Sequence, residues 1–170
     1  ETPWVQRLLA ETPHRAHVAV LTPEEVPALA RRVQTVADGP FGGLPTLAYA
    51  RLFADARTDG TTVLLDGQGM DEQWAGYDYY ELAATGASVP VVQGVTDRPV
   101  RPDALGPALV DRVATPLDPV GFDDPVRRLQ HRDLTTTKLP RALRYNDRVS
   151  MLASTELREP FLDHRLVELA

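Results

Sequence analysis

The sequence contains no cysteine. That absence excludes disulfides, thiolate metal sites and a cysteine nucleophile. Lysine is nearly missing too: Lys138 stands alone among 18 basic residues, and arginine supplies the rest. The bias reads as genomic coding preference rather than an arginine-specific function. No apolar run approaches the roughly 18 residues that a spanning helix needs, and the first residues carry no signal-peptide pattern. The expectation is a cytoplasmic protein without a membrane partner. An excess of positive charge is also lacking. The net charge of −6 argues against a nucleic-acid surface. What is present is a 43% share of hydrophobic residues in 170, enough for the core of one domain or part of one.

The pattern along the chain is α/β. Residues 3–10 read as a helix behind a Thr2 cap. His17–Leu21 reads as a short strand. Thr22-Pro23-Glu24-Glu25 is a helix start, with threonine as cap, proline in the first turn and glutamate at the third position. Val26, Leu29, Ala30, Val33 and Ala37 follow at helical spacing. The glycines of 39–43 break that helix, and Leu44–Arg57 forms the next. Residues 62–65 form a second strand. Strand, helix, helix, strand predicts a parallel pair, 17–21 with 62–66, joined by a right-handed crossover. Residues 86–125 are proline-rich and aperiodic, an irregular insertion with one short helix at Ala104–Ala114. From Asp124 the pattern turns helical. Pro140 interrupts it, Arg141–Ala153 is a helix, and Asp163 caps a last helix at Arg165–Ala170.

Residues 63–77 carry the strongest local signal. Val63-Leu64-Leu65 ends in Asp66-Gly67-Gln68-Gly69, and a helix-compatible segment then opens with Asp71-Glu72. An apolar run, a glycine turn and an acidic helix start build a site at the carboxyl end of a strand. Gly67 and Gly69 place no Cβ between backbone N–H groups and a ligand. Asp71 and Glu72 stand at the mouth of the turn, where a hard cation could be held. The histidines at 14 and 17 do not share one helix face and are not read as a metal pair.

The 66–77 segment resembles the Asp/Ser-Gly-x-Gly-x-Asp-Glu-x-x-x-Gly-Tyr signature of asparagine synthetases. A second segment, Asp147-Arg148-Val149-Ser150-Met151 followed by Glu156-Leu157-Arg158-Glu159-Pro160-Phe161-Leu162-Asp163, resembles the same family's Asp-Arg-x-Ser-Met and Glu-x-Arg-x-Pro-Phe-Leu-Asp motifs. The resemblance covers about residues 13–170 and is thin between Ala83 and Arg127. It implies that residues 1–170 are part of the family's C-terminal synthetase domain. The implied fold is a partial adenine-nucleotide α-hydrolase-like (ATP pyrophosphatase) parallel sheet with helices and a mostly helical C-terminal part. The family's Ser-Gly-Gly-x-Asp-Ser pyrophosphate loop does not occur in these residues, so that loop and two strands are expected upstream of Glu1.

The implied activity is ATP-dependent amide formation by a glutamine-hydrolysing asparagine synthase. Aspartate or a related carboxylate is activated as an acyl-adenylate, and ammonia from glutamine displaces AMP. The implied cofactors are ATP and Mg2+; the implied partner is an upstream glutaminase domain or a separate chain. By the same resemblance, Asp71 holds magnesium, and Asp66, Gly67 and Gly69 contact the nucleotide. Arg148 stabilises charge on the α-phosphate, which its multi-donor fork suits. Gln68 replaces a glutamate thought to assist the amide-forming step, and glutamine cannot act as a general base. Glu159 stands where relatives carry valine; if buried it needs a partner, with Arg158 and Arg165 as candidates. Met70 stands where small residues are commoner.

Each residue also has an ordinary structural reading. Asp71-Glu72 would complement a helix dipole, Arg148 would form a salt bridge, Glu156 and Arg158 would pair, and residues 160–163 would form an apolar plug and a cap. The three tyrosines at 77, 79 and 80 would pack a helix. Two other functions stay open. One is a related adenylating cyclase of the β-lactam synthetase or lasso-peptide cyclase type. The other is a non-catalytic remnant that binds a partner chain.

Overall fold

The computed structural model describes residues 2–87 and 121–170, with 106 and 108 as isolated positions. Most of the expected proline-rich insertion, and its short helix at Ala104–Ala114, lies outside the described residues. The chain divides into two compact units. One comprises residues 1–62 and 148–155, the other residues 63–147 and 156–170.

The first unit is helical. Helix α1 is Thr2–Ala10, α2 is Val26–Ala37 and α3 is Leu44–Thr58. Helix α2 begins one turn later than the sequence suggests, because Pro23–Glu25 forms turns rather than regular helix. The capping arrangement survives: the Glu25 carboxylate accepts the Thr22 N–H at 3.0 Å. The Asp38 backbone closes α2 in a left-handed conformation, φ 51°. Val33 of α2 and Leu47, Ala50 and Phe53 of α3 are buried, and the three α3 residues recur at helical spacing on one face. Full burial of each large side chain contributes about 1.5–3 kcal/mol. Arg51 of α3 ties the α2 start to its own helix by pairing with Glu25 and, at 3.0 Å, with Asp55.

The expected strand at His17–Leu21 does not form. Val18 is 77% and Val20 63% exposed, so the alternating apolar residues find no covering layer. A strand requires a partner for its backbone groups, and apolar alternation alone supplies none. His17 instead pairs with Asp59 at 3.0 Å.

The second unit contains the sheet. Strand β1, Val63–Leu65, pairs in parallel with β2, Glu156–Arg158, in the register Val63–Glu156, Leu64–Leu157, Leu65–Arg158. The expected pairing of 17–21 with 62–66 is therefore corrected: β1 takes its ladder from 156–158. The Asp66 N–H extends that ladder to the Arg158 carbonyl at 2.9 Å. The remaining elements among the described residues are α4 (Met70–Gln73), α5 (Asp78–Ala84), α6 (Pro125–Arg132), a π-helical turn (Asp133–Thr137), α7 (Leu139–Leu152), a 3-10 turn (Pro160–Leu162) and α8 (His164–Leu169). Helix α7 spans the boundary of the units. Pro140 does not precede it but lies in its first turn, where no N–H is needed. Asp124 caps α6, accepting the Val126 and Arg127 N–H groups, and Asp163 caps α8 through the Arg165 N–H. Tyr80, Ala83 and Leu129 form a buried cluster in this unit, with Tyr77 and Tyr79 packed against it.

Candidate functional site

The loop after β1 is held from several sides. Asp66 Oδ1 accepts the Gly67 N–H at 2.7 Å, and Oδ2 accepts the Asn146 side-chain amide at 3.1 Å. Asn146 is buried on α7. Among the described residues no atom beyond the chain neighbours lies within 4 Å of where a Gly67 Cβ would stand, so the backbone is uncovered on that side. Gly69 differs. Its φ is 92°, and a Cβ there would lie 2.2 Å from Leu162 Cδ2. The second glycine thus lets the loop close on the 160–162 turn. Gln73 reinforces this closure by donating to the Phe161 carbonyl at 2.6 Å. Trp74 meets the Phe161 ring edge-on at 6.5 Å. Phe161 and Leu162 are half-buried and Pro160 is exposed, so the 160–162 turn braces the loop through these contacts rather than as a buried plug.

Asp71 is exposed in the first turn of α4. Its backbone carbonyl accepts the Gly76 N–H at 2.9 Å, and its Oδ1 occupies space that a Gly76 side chain would fill. Glu72 is not available to a cation in the same way. It is 2% exposed, accepts the Tyr77 hydroxyl at 3.3 Å, and lies 3.7 Å from Lys138 Nζ. Lys138 sits over the Tyr77 ring at 2.9 Å and donates to Tyr79 Oη at 3.2 Å. Burial pulls its pKa down, partly offset by the charges of Glu72, Asp133 and Asp71. Asp133 Oδ2 accepts the Tyr79 and Tyr80 hydroxyls at 2.8 and 3.1 Å, and Oδ1 accepts Thr137 Oγ1 at 2.9 Å. Burial raises all three tyrosines. This polar layer was invisible in the sequence beyond the tyrosine spacing, because its lysine and aspartate lie more than fifty residues downstream.

Glu159 follows β2 as Asp66 follows β1. Its carboxyl interacts with the Gln68 backbone N–H, while its Oε2 is buried without a hydrogen-bond partner among the described residues. Burial, then the Asp66 charge, raises it to about 7. Neither arginine expected to partner it does so. Arg158 pairs with Glu156 at 2.7 Å, and Arg165 pairs with Asp163 at 2.7 Å. Each arginine finds a carboxylate two residues away in sequence, which leaves Glu159 to Asp66 and Gln68.

Five of the six residues singled out in the sequence, Asp66, Gly67, Gln68, Gly69 and Asp71, therefore lie along the loop after β1 and the start of α4, in the second unit. Arg148 belongs to the first unit. It pairs with Asp38 at 2.7 Å and donates to the Val36 carbonyl at 3.3 Å, at the C-terminal end of α2. Its side chain stays 43% exposed. A cation suits that position, where helix carbonyls lack partners. Among the described residues no three histidine, cysteine or acidic side chains converge as a metal cluster, and no helix is long and apolar enough to cross a membrane.

A family model described as asparagine synthase matches residues 1–170. The chain belongs to the asparagine synthase family. The match spans both motifs, the loop after β1 and the segment from Asp147 to Asp163, and corresponds to the synthetase domain of the family. No curated protein and no solved structure matches the chain.

Proposed function

We propose that this asparagine synthase domain activates a carboxylate with ATP and passes it to a nitrogen nucleophile. The family match and the loop from Asp66 to Asp71, set at the carboxyl end of β1 and braced from 160–162, support the reading. The fold it implies is the adenine-nucleotide α-hydrolase type. The substrate carboxylate oxygen attacks the α-phosphorus of ATP, and pyrophosphate leaves. Ammonia then attacks the acyl carbon and AMP leaves. The domain's task is alignment, charge stabilisation and exclusion of water.

The open Gly67 position and the Asp66 carboxylate would face the adenosine part, with Gly69 setting the loop's path. Arg148 would neutralise the α-phosphate. Magnesium takes one or two carboxylates together with phosphate oxygens and water, so exposed Asp71 suffices as the protein's contribution and buried Glu72 is not required. Bound there, the ion would offset the charge of the leaving pyrophosphate. Gln68 can hydrogen-bond the intermediate but moves no proton. Aspartate is the proposed substrate. The ammonia source would be a glutaminase domain or partner chain, since these residues hold no cysteine. A second reading keeps the activation and changes the nucleophile, as in a ring-closing synthetase; Gln68 favours it, because it departs from the amide-forming pattern.

Mass spectrometry of the full-length protein with ATP, magnesium, aspartate and glutamine tests both. AMP with asparagine supports the first reading. AMP formed only with another carboxylate supports the second. No AMP with any carboxylate contradicts both.

A further inference from the structure

Asp66 and Glu159 are the residues that follow the paired ends of β1 and β2, Leu65 and Arg158. Their surroundings differ. Both Asp66 oxygens accept hydrogen bonds, from the Gly67 N–H and the Asn146 amide. Glu159 meets the Gln68 N–H, and among the described residues its Oε2 is buried without a hydrogen-bond donor. A carboxylate oxygen in that state costs free energy. It is also the kind of acceptor that a site needs for a passing proton. The other candidates nearby are committed. Gln68 has no titratable group. Glu72 is engaged by Tyr77 and Lys138, and Asp133 by Tyr79, Tyr80 and Thr137.

We infer that Glu159 is the proton acceptor of the nitrogen-transfer step. The inference rests on the ligase reading above. As the nitrogen lone pair forms the C–N bond, the C–O bond to AMP breaks and its electron pair stays on the AMP oxygen. The nitrogen sheds one proton, which goes to Glu159 Oε2 and then to solvent. The charged group acting on Glu159 is Asp66, which disfavours a second negative charge; the Gln68 N–H opposes it. Arg158 and Arg165 are turned to Glu156 and Asp163. A base near neutrality is suited to taking a proton at physiological pH.

The test uses the full-length enzyme and Glu159→Gln, which keeps the shape and an oxygen to accept the Gln68 N–H. One readout needs no turnover. Carboxyl carbon resonances of glutamate-labelled protein are titrated, and the Glu159 signal is identified by its loss in the variant. A midpoint near 7 that falls in Asp66→Asn is expected; a midpoint in the ordinary glutamate range overturns the inference. The second readout compares ATP–pyrophosphate exchange with amide formation. Amide formation in Glu159→Gln should drop about a hundredfold or more relative to exchange, with Glu159→Asp recovering part of it. A parallel fall in both rates, or an unchanged ratio, overturns the inference and marks Glu159 as a structural residue. A wild-type enzyme that exchanges no pyrophosphate with any carboxylate contradicts the ligase reading instead, and the titration still reports on Glu159 separately.

Discussion

Gly76 lies against Asp71: a Cβ on the glycine would stand 2.2 Å from Asp71 Oδ1 and 3.1 Å from the Asp71 Cα. The glycine therefore sets where the proposed magnesium ligand sits. Gly76→Ala forces the side chain and the α4 backbone to shift, at a cost of about 1–3 kcal/mol in stability. Urea unfolding measures the first effect. The magnesium concentration needed for half-maximal exchange should also rise. A variant with wild-type stability and magnesium dependence would mean that this contact does not constrain Asp71.

Asp71→Asn tests the ligand itself. The amide keeps the size and removes the charge from a site dominated by phosphate. Pyrophosphate exchange is expected to fall about a hundredfold or more. Normal exchange at ordinary magnesium would reduce Asp71 to a residue of the α4 start.

Arg148 has two separable roles. Its ion pair with Asp38 is exposed, so removing the pair should cost at most about 1 kcal/mol. Asp38→Ala is therefore expected to leave exchange within about threefold. Arg148→Ala should cost about 2.7–4 kcal/mol of transition-state stabilisation, roughly a hundred- to thousandfold in exchange. Gln68→Ala, losing a neutral hydrogen bond, should cost nearer 1 kcal/mol. Equal damage from Gln68→Ala and Arg148→Ala would reverse this ranking. Equal damage from Asp38→Ala and Arg148→Ala would show that the arginine acts only through α2.

Much of this arrangement was legible in the sequence. The helices over 26–37 and 44–58 follow from apolar spacing and from the glycine breaks at 39, 43 and 60. The Asp163 cap and the glycine loop follow from side-chain chemistry close in sequence. Residues 17–21 alternate like a strand but form none, because Val18 and Val20 have no covering layer. Strand β2 is the opposite case. Glu156-Leu157-Arg158 is three residues long with two charged side chains, and only pairing with β1 makes it a strand. The sequence signalled that Glu159 was out of place. Its neighbours, Asp66 and Gln68, could not be read from sequence, since ninety residues separate them and the parallel register brings them together.

Glu159 predicts a pH signature in stability. Its folded value is raised to about 7 from an ordinary 4.5, so in that window the folded chain holds a proton the unfolded chain has lost. Stability therefore falls as pH rises through the window and is unaffected by this group below it. Glu159→Gln should melt higher than wild type near pH 8, with the gap closing near pH 4. A gap that is constant across this range would contradict the assignment of a raised carboxyl.

The polar layer behind the loop predicts a loss of stability independent of activity. Asp133→Ala strands the hydroxyls of Tyr79, Tyr80 and Thr137 together, at an expected cost of about 3–5 kcal/mol. Denaturant unfolding checks it, and a loss below about 1 kcal/mol would show that solvent satisfies those groups.

The proposed first step of this asparagine synthase domain is adenylation of a carboxylate. ATP–pyrophosphate exchange tests it most directly: full-length protein is given ATP, magnesium and labelled pyrophosphate, with and without aspartate. Label should enter ATP only when the carboxylate is present, and that exchange should fall about a hundredfold or more in Asp71→Asn. Exchange that ignores the carboxylate, or cleavage of ATP to ADP and phosphate in its place, would contradict it.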